Sequence, residues 1–319
     1  MKIKYDDQEI EYDGSKSVLD CLLEAGYDIP NSCKSGVCFS CVVQASQGNP
    51  GEEAQSGLKP SQQEQGFFKS CVCYPTEDLT ITSGSQEETF KAVVSEKTML
   101  NERTLLLRIT SESNFEYKSG QFLNLIRPAD GLMRSYSIAS IPSEEFLELH
   151  IRCYDDGKMS SWLKSEVEAG TELEFSGPLG DCFYTEGKEE DDLLLAGIGT
   201  GMAPLYGIVR DALNRGHKGK ITIIQGAMTE DGLYYVDQFQ KVANDFENCT
   251  YIPSTVDGSG DYTEGKIDDV VKANFPDLKG HRVYLCGSPN TVNRLKRYSF
   301  LAGASMGDIY SDPFTVADS

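Results

Sequence analysis

The sequence predicts a multidomain chain of α+β and α/β type: a small mixed domain, an antiparallel β-barrel, and a parallel-sheet α/β domain. Three observations predict it. Three thiols crowd into CKSGVCFSC, residues 33–41, near the end of a short hairpin-and-helix segment. Six apolar runs separated by turn residues follow between 88 and 187, the pattern of a small antiparallel barrel. Beyond residue 190, apolar strands alternate with helical stretches, which implies a parallel sheet covered on both faces. A length of 319 residues also favours two or three domains over one. The expected boundaries are 1–85, 88–187 and 190–319.

In the first part, KIKYDD and EIEYDG alternate on either side of a turn and read as a hairpin. SKSVLDCLLEAG reads as a helix capped by Ser15 or Ser17, with Val18, Leu19, Leu22 and Leu23 on one face. CVVQAS is a strand, and LTITSGSQEET is a strand running into a polar linker. The second part offers FKAVVSEKTML, RTLLLRIT, QFLNLIRP, RSYSIAS, FLELHIRCY and TELEFSG as strands, with SSWLKSEVEAG as the one helix. In the third, DLLLAGIG, KITIIQGA, TYIPST and RVYLCGS are strands. MAPLYGIVRDALNRG, YVDQFQKVANDF, GKIDDVVKANF and PNTVNRLKRYSFLAG are helices.

Composition narrows the function. The formal charge of −21 opposes binding to nucleic acid, whose phosphates would be repelled. It permits docking to a basic protein, although acidity alone names no partner. No apolar run approaches the roughly 18 residues a membrane helix requires, and the opening MKIKYDDQEIEYDG lacks an apolar signal core, so a soluble, cytoplasmic chain is expected. Ten cysteines in such a compartment point to metal before disulfides. The three histidines, His150, His217 and His281, form no metal spacing and are expected to be structural or exposed.

Cys33, Cys38 and Cys41 follow C-x4-C-x2-C, and Cys71 is the fourth candidate, 29 residues further on. This is the plant-type [2Fe–2S] spacing. Gly36 permits a tight path around a cluster. Zinc and buried structural cysteines are the alternatives, but zinc sites usually pair two short clips. Cys73 rivals Cys71; in an extended segment the two point to opposite faces, so only one can ligate. Cys21 is expected in the core, and Cys153, Cys182 and Cys249 are expected to be buried strand cysteines.

On these residues, 1–82 resemble a plant-type ferredoxin, which implies a β-grasp domain and favours Cys71. MRSYSIAS resembles the RxYS motif of the ferredoxin–NADP reductase superfamily. The resemblance implies that Arg134 pairs with a flavin phosphate, Tyr136 packs on the isoalloxazine and Ser137 bonds near its reactive nitrogen. GKMSSWL matches the GxxS of that family, which implies that Gly157, Lys158, Met159 and Ser160 open a helix on the pyrophosphate, as free N–H groups at a helix start allow. The arrangement is similar to the FAD-using branch, so FAD is expected in a barrel.

LLLAGIGTGMAP lacks the G-x-G-x-x-G fingerprint but resembles the GxGxGxAP loop of the same superfamily. It implies a Rossmann-like nicotinamide domain, with Gly199, Thr200 and Gly201 at the nucleotide. LCGSP implies that Cys286 and Gly287 lie beside the nicotinamide, with Ser137 and Cys286 as the catalytic candidates. The stretch QGAMTEDGLYYVDQF has no basic residue, Met228 standing where many relatives carry Arg. Glu230 and Asp231 would repel a 2′-phosphate and accept from a free 2′-hydroxyl, so NADH is expected, with Arg210 or Lys241 left as groups that could reach in. IYSDPFTVADS resembles the DxF ending of the family, in which Phe314 either covers the flavin or packs the C-terminus.

The whole resembles the NADH-dependent reductase component of bacterial multicomponent oxygenases. It implies electron flow from NADH through FAD and a [2Fe–2S] cluster to an oxygenase, an aromatic-ring dioxygenase or a diiron monooxygenase. A reductase for a deoxysugar dehydrase shares this domain order. A redox sensor would need no hydride-donor site. A sodium-pumping quinone reductase subunit would carry an N-terminal membrane helix, which this sequence lacks. Residues 1–82 carry 6 Lys against 13 Asp and Glu, so an acidic docking face is expected there.

Overall fold

The structure is a computed structural model that describes residues 1–314 apart from Asp7, Ser32, Cys33, Val37, Cys38 and 83–88. It forms two compact units, Met1–Glu87 and Glu88–Ser319.

In the first unit, β1 (Lys2–Tyr5) and β2 (Gln8–Glu11) make the expected hairpin, Ile3 opposite Ile10. Helix α1 (Val18–Glu24) starts at Ser17, whose hydroxyl accepts the Asp20 N–H, so Ser17 rather than Ser15 is the cap. The helix buries Val18, Leu19 and Leu22, while Leu23 stays partly exposed. β3 (Val42–Gln47), the short α2 (Glu52–Gln55) and α3 (Pro60–Glu64), β4 (Phe67–Lys69) and β5 (Leu79–Thr82) complete it. The sheet order is β2-β1-β5-β3-β4, with β1 parallel to β5 and the other pairs antiparallel. Packing one helix on a mixed sheet around Ile3, Leu19, Phe68 and Ile81 is the expected β-grasp arrangement.

The second unit opens with β6 (Thr89–Asn101), β7 (Thr104–Ser111), β8 (Phe122–Ile126), β9 (Met133–Ser137), β10 (Leu147–Arg152), helix α4 (Lys158–Ser165) and β11 (Glu172–Leu179). All six strands pair antiparallel in the order β10-β7-β6-β11-β8-β9. A bridge between Ile138 and Leu149, with the Ala139 N–H donating to the Glu148 carbonyl at 2.8 Å, joins the two edge strands and closes the barrel.

Then follow β12 (Leu193–Ile198), α5 (Met202–Asn214), β13 (Ile221–Ala227), α6 (Val236–Asp245), β14 (Cys249–Thr255), β15 (Thr263–Glu264), α7 (Ile267–Asn274), β16 (Arg282–Gly287), α8 (Pro289–Leu301) and β17 (Ile309–Pro313). Their sheet is parallel throughout, in the order β15-β14-β13-β12-β16-β17. The order reverses at β12, so a crevice opens beyond the carboxyl ends of β12 and β16. β14 tolerates Pro253 because its outer neighbour β15 pairs only with Ser254 and Thr255. β17 was not foreseen as a strand. Five residues of the tail add to the sheet edge and carry Asp312 and Phe314 back to the barrel side of the crevice.

Candidate functional site

A cleft of about 790 Å³ lies in the second unit, within the size range of cofactor sites. Its lining brings together the flavin residues read from the sequence, Arg134, Tyr136 and Ser137 from β9, Gly157 to Ser160 from the start of α4 and Phe314 from the tail, and adds Thr200, read as a nucleotide residue, from the glycine loop. Gly199, Gly201, Glu230, Cys286 and Gly287 lie outside this lining.

The local structure suits a diphosphate ligand. Strand alternation sends Arg134 and Tyr136 to one face of β9. The Arg134 guanidinium bonds the Met133 carbonyl at 2.8 Å, and among the described residues no carboxylate pairs with it. Its fork is therefore available to an anion. Gly157 precedes α4 with no side-chain cap, which leaves first-turn N–H groups of the helix facing the cleft. A Cβ at Gly157 would lie 2.4 Å from the Ser160 hydroxyl, so a side chain here would displace that hydroxyl from its place in the turn. The Tyr136 phenol is pushed up by burial and stays neutral, offering its ring face. These features fit a flavin dinucleotide.

Deeper in the cleft the Ser137 hydroxyl lies 3.3 Å from Asp312 Oδ2. Burial pushes the Asp312 carboxyl up to about 6, against the lowering effect of the Ser137 hydrogen bond. This pair was missed in the sequence, because Asp312 sits in a short polar segment whose strand pairing is decided by the distant β16. His150 was also missed as a lining residue. Its ring is buried, 2.9 Å from Glu148 Oε1 and 3.1 Å from the Tyr234 hydroxyl. Burial would raise Glu148, but bonds from His150 and Arg108 outweigh it and bring it down to about 2. Burial lowers His150, which stays neutral. With Tyr235 donating to Glu148 at 2.9 Å, the cluster ties β10 to the turn before α6.

The nucleotide residues meet at the carboxyl ends of β12 and β16. A Cβ at Gly201 would lie 2.4 Å from the Cys286 carbonyl, and one at Gly287, at φ +130°, would lie 2.9 Å from the Ile198 carbonyl. These glycines are needed to interlock the two strand ends. Gly199, at φ +53°, has open space above it, so its requirement is conformational. The Cys286 thiol is turned inward, 1% exposed and 4.0 Å from the Cys182 thiol, and burial keeps it protonated. Its place in the site is as part of the β16 end. Glu230 and Met228 are exposed after β13, with the Glu230 N–H bonded to Ser259 Oγ at 2.8 Å. The two basic groups the sequence leaves open for this edge are paired elsewhere: Arg210 with Glu144 and the Ala139 carbonyl, Lys241 with Asp245.

In the first unit, Cys33 and Cys38 lie outside the described residues. Cys41 and Cys71 are buried and held close, since Ser70 donates to the Cys41 carbonyl through both its N–H (3.1 Å) and its hydroxyl (2.8 Å). Cys73 is fully buried; its thiol donates to the Pro50 carbonyl at 3.3 Å and is pushed up to about 12 by burial. The loop between the cysteines holds Lys34, Gly36 and Phe39 at positive φ (+50°, +76° and +60°), two of them non-glycine. Left-handed residues in a loop help form anion-binding concavities of backbone N–H groups, so these three suit a loop that carries an anionic cluster. Among the described residues no group of three His, Cys, Asp or Glu is placed to hold a metal, which is expected when only two of the four cysteines are described.

Comparison with known proteins agrees in the same order along the chain. Residues 2–76 match the 2Fe-2S iron-sulfur cluster binding domain, 91–184 the oxidoreductase FAD-binding domain, and 194–296 the oxidoreductase NAD-binding domain. The fold and site thus define an iron–sulfur flavoprotein oxidoreductase that uses a nicotinamide nucleotide. The chain is 31% identical to the reductase component of the naphthalene 1,2-dioxygenase system of Pseudomonas putida, covering 96% of this chain and 95% of the relative. It is 28% identical to the reductase component of phenol 2-monooxygenase from Pseudomonas sp. strain CF600, covering 97% and 92%. The crystal structure of an Amycolatopsis cytochrome P450 reductase superposes with a TM-score of 0.70 at 25% identity, over 99% of each chain. The chain belongs to the family of reductases that join a [2Fe–2S] domain to FAD- and NAD-binding domains, a family that includes these oxygenase-system components. No helix among the described residues is long and apolar enough to cross a membrane.

Proposed function

We propose that this reductase draws electrons from NADH and delivers them to an oxygenase component, an aromatic-ring dioxygenase or a diiron monooxygenase. The observation that carries the reading is near-full-length likeness to such components, with a cleft built for a flavin beside a nucleotide crevice. When bound, FAD takes two electrons from the nucleotide and releases them singly, and the cluster carries one at a time. The domain boundaries are proposed at 1–85, 88–187 and 190–319.

The residues of the chain do the holding and orienting. Arg134 and the N-terminal turn of α4, from Gly157 through Lys158, Met159 and Ser160, hold the pyrophosphate. Tyr136 and Phe314 bracket the ring system. Gly199, Thr200 and Gly201, with Cys286 and Gly287, position the nicotinamide over Ser137. Ser137 and Asp312 hold a proton at the cleft. Below about pH 6 the carboxyl is protonated and donates to Ser137 Oγ, which frees the Ser137 O–H to turn into the cleft. Above it, Ser137 donates to the carboxylate. Cys33, Cys38, Cys41 and Cys71 ligate the cluster.

Glu230 selects NADH by accepting from the free 2′-hydroxyl. Met228→Arg combined with Glu230→Ser is expected to raise kcat/KM for NADPH relative to NADH by about tenfold or more, since one hydrogen bond to a charged group is worth about 1.5 kcal/mol or above. Steady-state kinetics with both nucleotides checks it; an unchanged ratio would move selectivity away from this turn. The partner is tested by reconstitution with ring-hydroxylating and diiron oxygenase components. NADH-dependent product formation by either class supports the reading, and failure with both while cytochrome c is still reduced rejects it.

A further inference from the structure

We propose that Lys69 is a built-in positive charge that raises the reduction potential of the [2Fe–2S] cluster, an inference that rests on the cluster lying in the 33–41 loop. Lys69 ends β4, opposite Val42 and two residues before Cys71. It is 6% exposed, although lysines are almost never buried this deeply without a partner. Among the described residues its ammonium makes no hydrogen bond and no ion pair. Its Nζ lies over the ring of Phe39, 5.6 Å from the centroid. It is also pressed against the cysteine loop, since a Cβ placed on Gly36 would lie 3.4 Å from Lys69 Nζ. Gly36 and Phe39 flank Cys38, so the ammonium is held on the backbone that must wrap the cluster. The other lysine of the loop contrasts with it: Lys34 is exposed and pairs with Asp20 at 3.0 Å.

A buried cation without a carboxylate is costly unless a negative charge lies nearby. The cluster supplies that charge. Two ferric irons, two sulfides and four thiolates sum to a double negative charge, and one added electron makes it triple. A fixed cation stabilises the reduced form more than the oxidised one, and so raises the potential. The shielded position makes the effect larger than that of a solvent-exposed lysine and less sensitive to salt.

The test is an anaerobic redox titration of the full-length, cluster-loaded protein, followed by the EPR signal of the reduced cluster, for wild type, K69Q, K69M and K69R. Lys69→Gln and Lys69→Met are expected to lower the cluster midpoint by at least a tenfold change in its electron-accepting equilibrium, ~59 mV for one electron. The flavin midpoint should stay unchanged, and Lys69→Arg should keep most of the wild-type value. A neutral variant with full cluster content and the wild-type midpoint overturns the proposal. So does loss of the cluster in both neutral variants with retention in Lys69→Arg, which would make the charge a requirement of assembly. Absence of a cluster signal in the wild type would instead remove the reading on which the proposal rests.

Discussion

Replacing Cys71 by Ser is expected to abolish NADH-dependent reduction of cytochrome c while leaving NADH-dependent reduction of ferricyanide, which flavin serves directly. The two bonds from Ser70 to the Cys41 carbonyl and the pairing of β3 with β4 bring the backbone before Cys71 against Cys41. A serine oxygen is a harder and more basic ligand than thiolate and does not satisfy a site built for four sulfurs. The flavin cleft belongs to the other compact unit, so its reduction by NADH is untouched. The matched control is Cys73→Ala. That thiol bonds the Pro50 carbonyl in the core and is kept protonated by burial, so its loss costs about 1 kcal/mol of stability and leaves the cluster spectrum intact. A cluster lost in Cys73→Ala and kept in Cys71→Ser would exchange the two assignments.

Asp312→Asn is expected to slow flavin reduction by NADH by about 10²-fold, the lower end for loss of a positioned proton-holding group, and yet to stabilise the protein at neutral pH. The sign follows from the direction of the shift. Asp312 is raised from its ordinary 3.8 to about 6, so the folded state holds this proton more tightly than the unfolded chain. Stability therefore falls as pH rises across that window, and the penalty persists above it. The difference corresponds to at most roughly 3 kcal/mol for this largely buried group. Removing the charge relieves it. Wild-type flavin reduction should also show an inflection near pH 6 that Asp312→Asn lacks. Stopped-flow reduction across pH 5–8, paired with urea denaturation, checks both halves. A variant that is less stable but reduced at the wild-type rate would make Asp312 a structural residue only.

The architecture was legible because each part carries a strong local signal. The hairpin, the Ser17-capped helix and the six barrel strands alternate or repeat as their burial demands, and the strand–helix rhythm beyond residue 190 fixed a parallel sheet. The cysteine spacing, RSYSIAS and GKMSSWL were equally local, and the fold brings the latter two to one cleft. What stayed hidden depends on distant pairing. β17 is a strand because β16 offers it an edge, and only that pairing carries Asp312 to Ser137. His150 looks like one more inward residue of LELHIR; its role in joining the barrel to the turn before α6 requires Tyr234, 84 residues away. The resemblance assigns the GIGTG loop to a nucleotide, whereas Gly201, like Gly287 of LCGSP, is first of all room for the neighbouring strand end. Lys69 gave no signal, because burial of a single lysine is decided by the tertiary fold.

The central claim is that one chain carries electrons from NADH through flavin to an iron–sulfur cluster. Anaerobic addition of NADH to the purified protein, followed by visible spectroscopy, tests it most directly. Flavin and iron–sulfur bands are expected to bleach together. Bleaching of the flavin with no cluster signal would contradict it, leaving Cys33, Cys38, Cys41 and Cys71 to zinc or to no metal and ending the electron path at its last step.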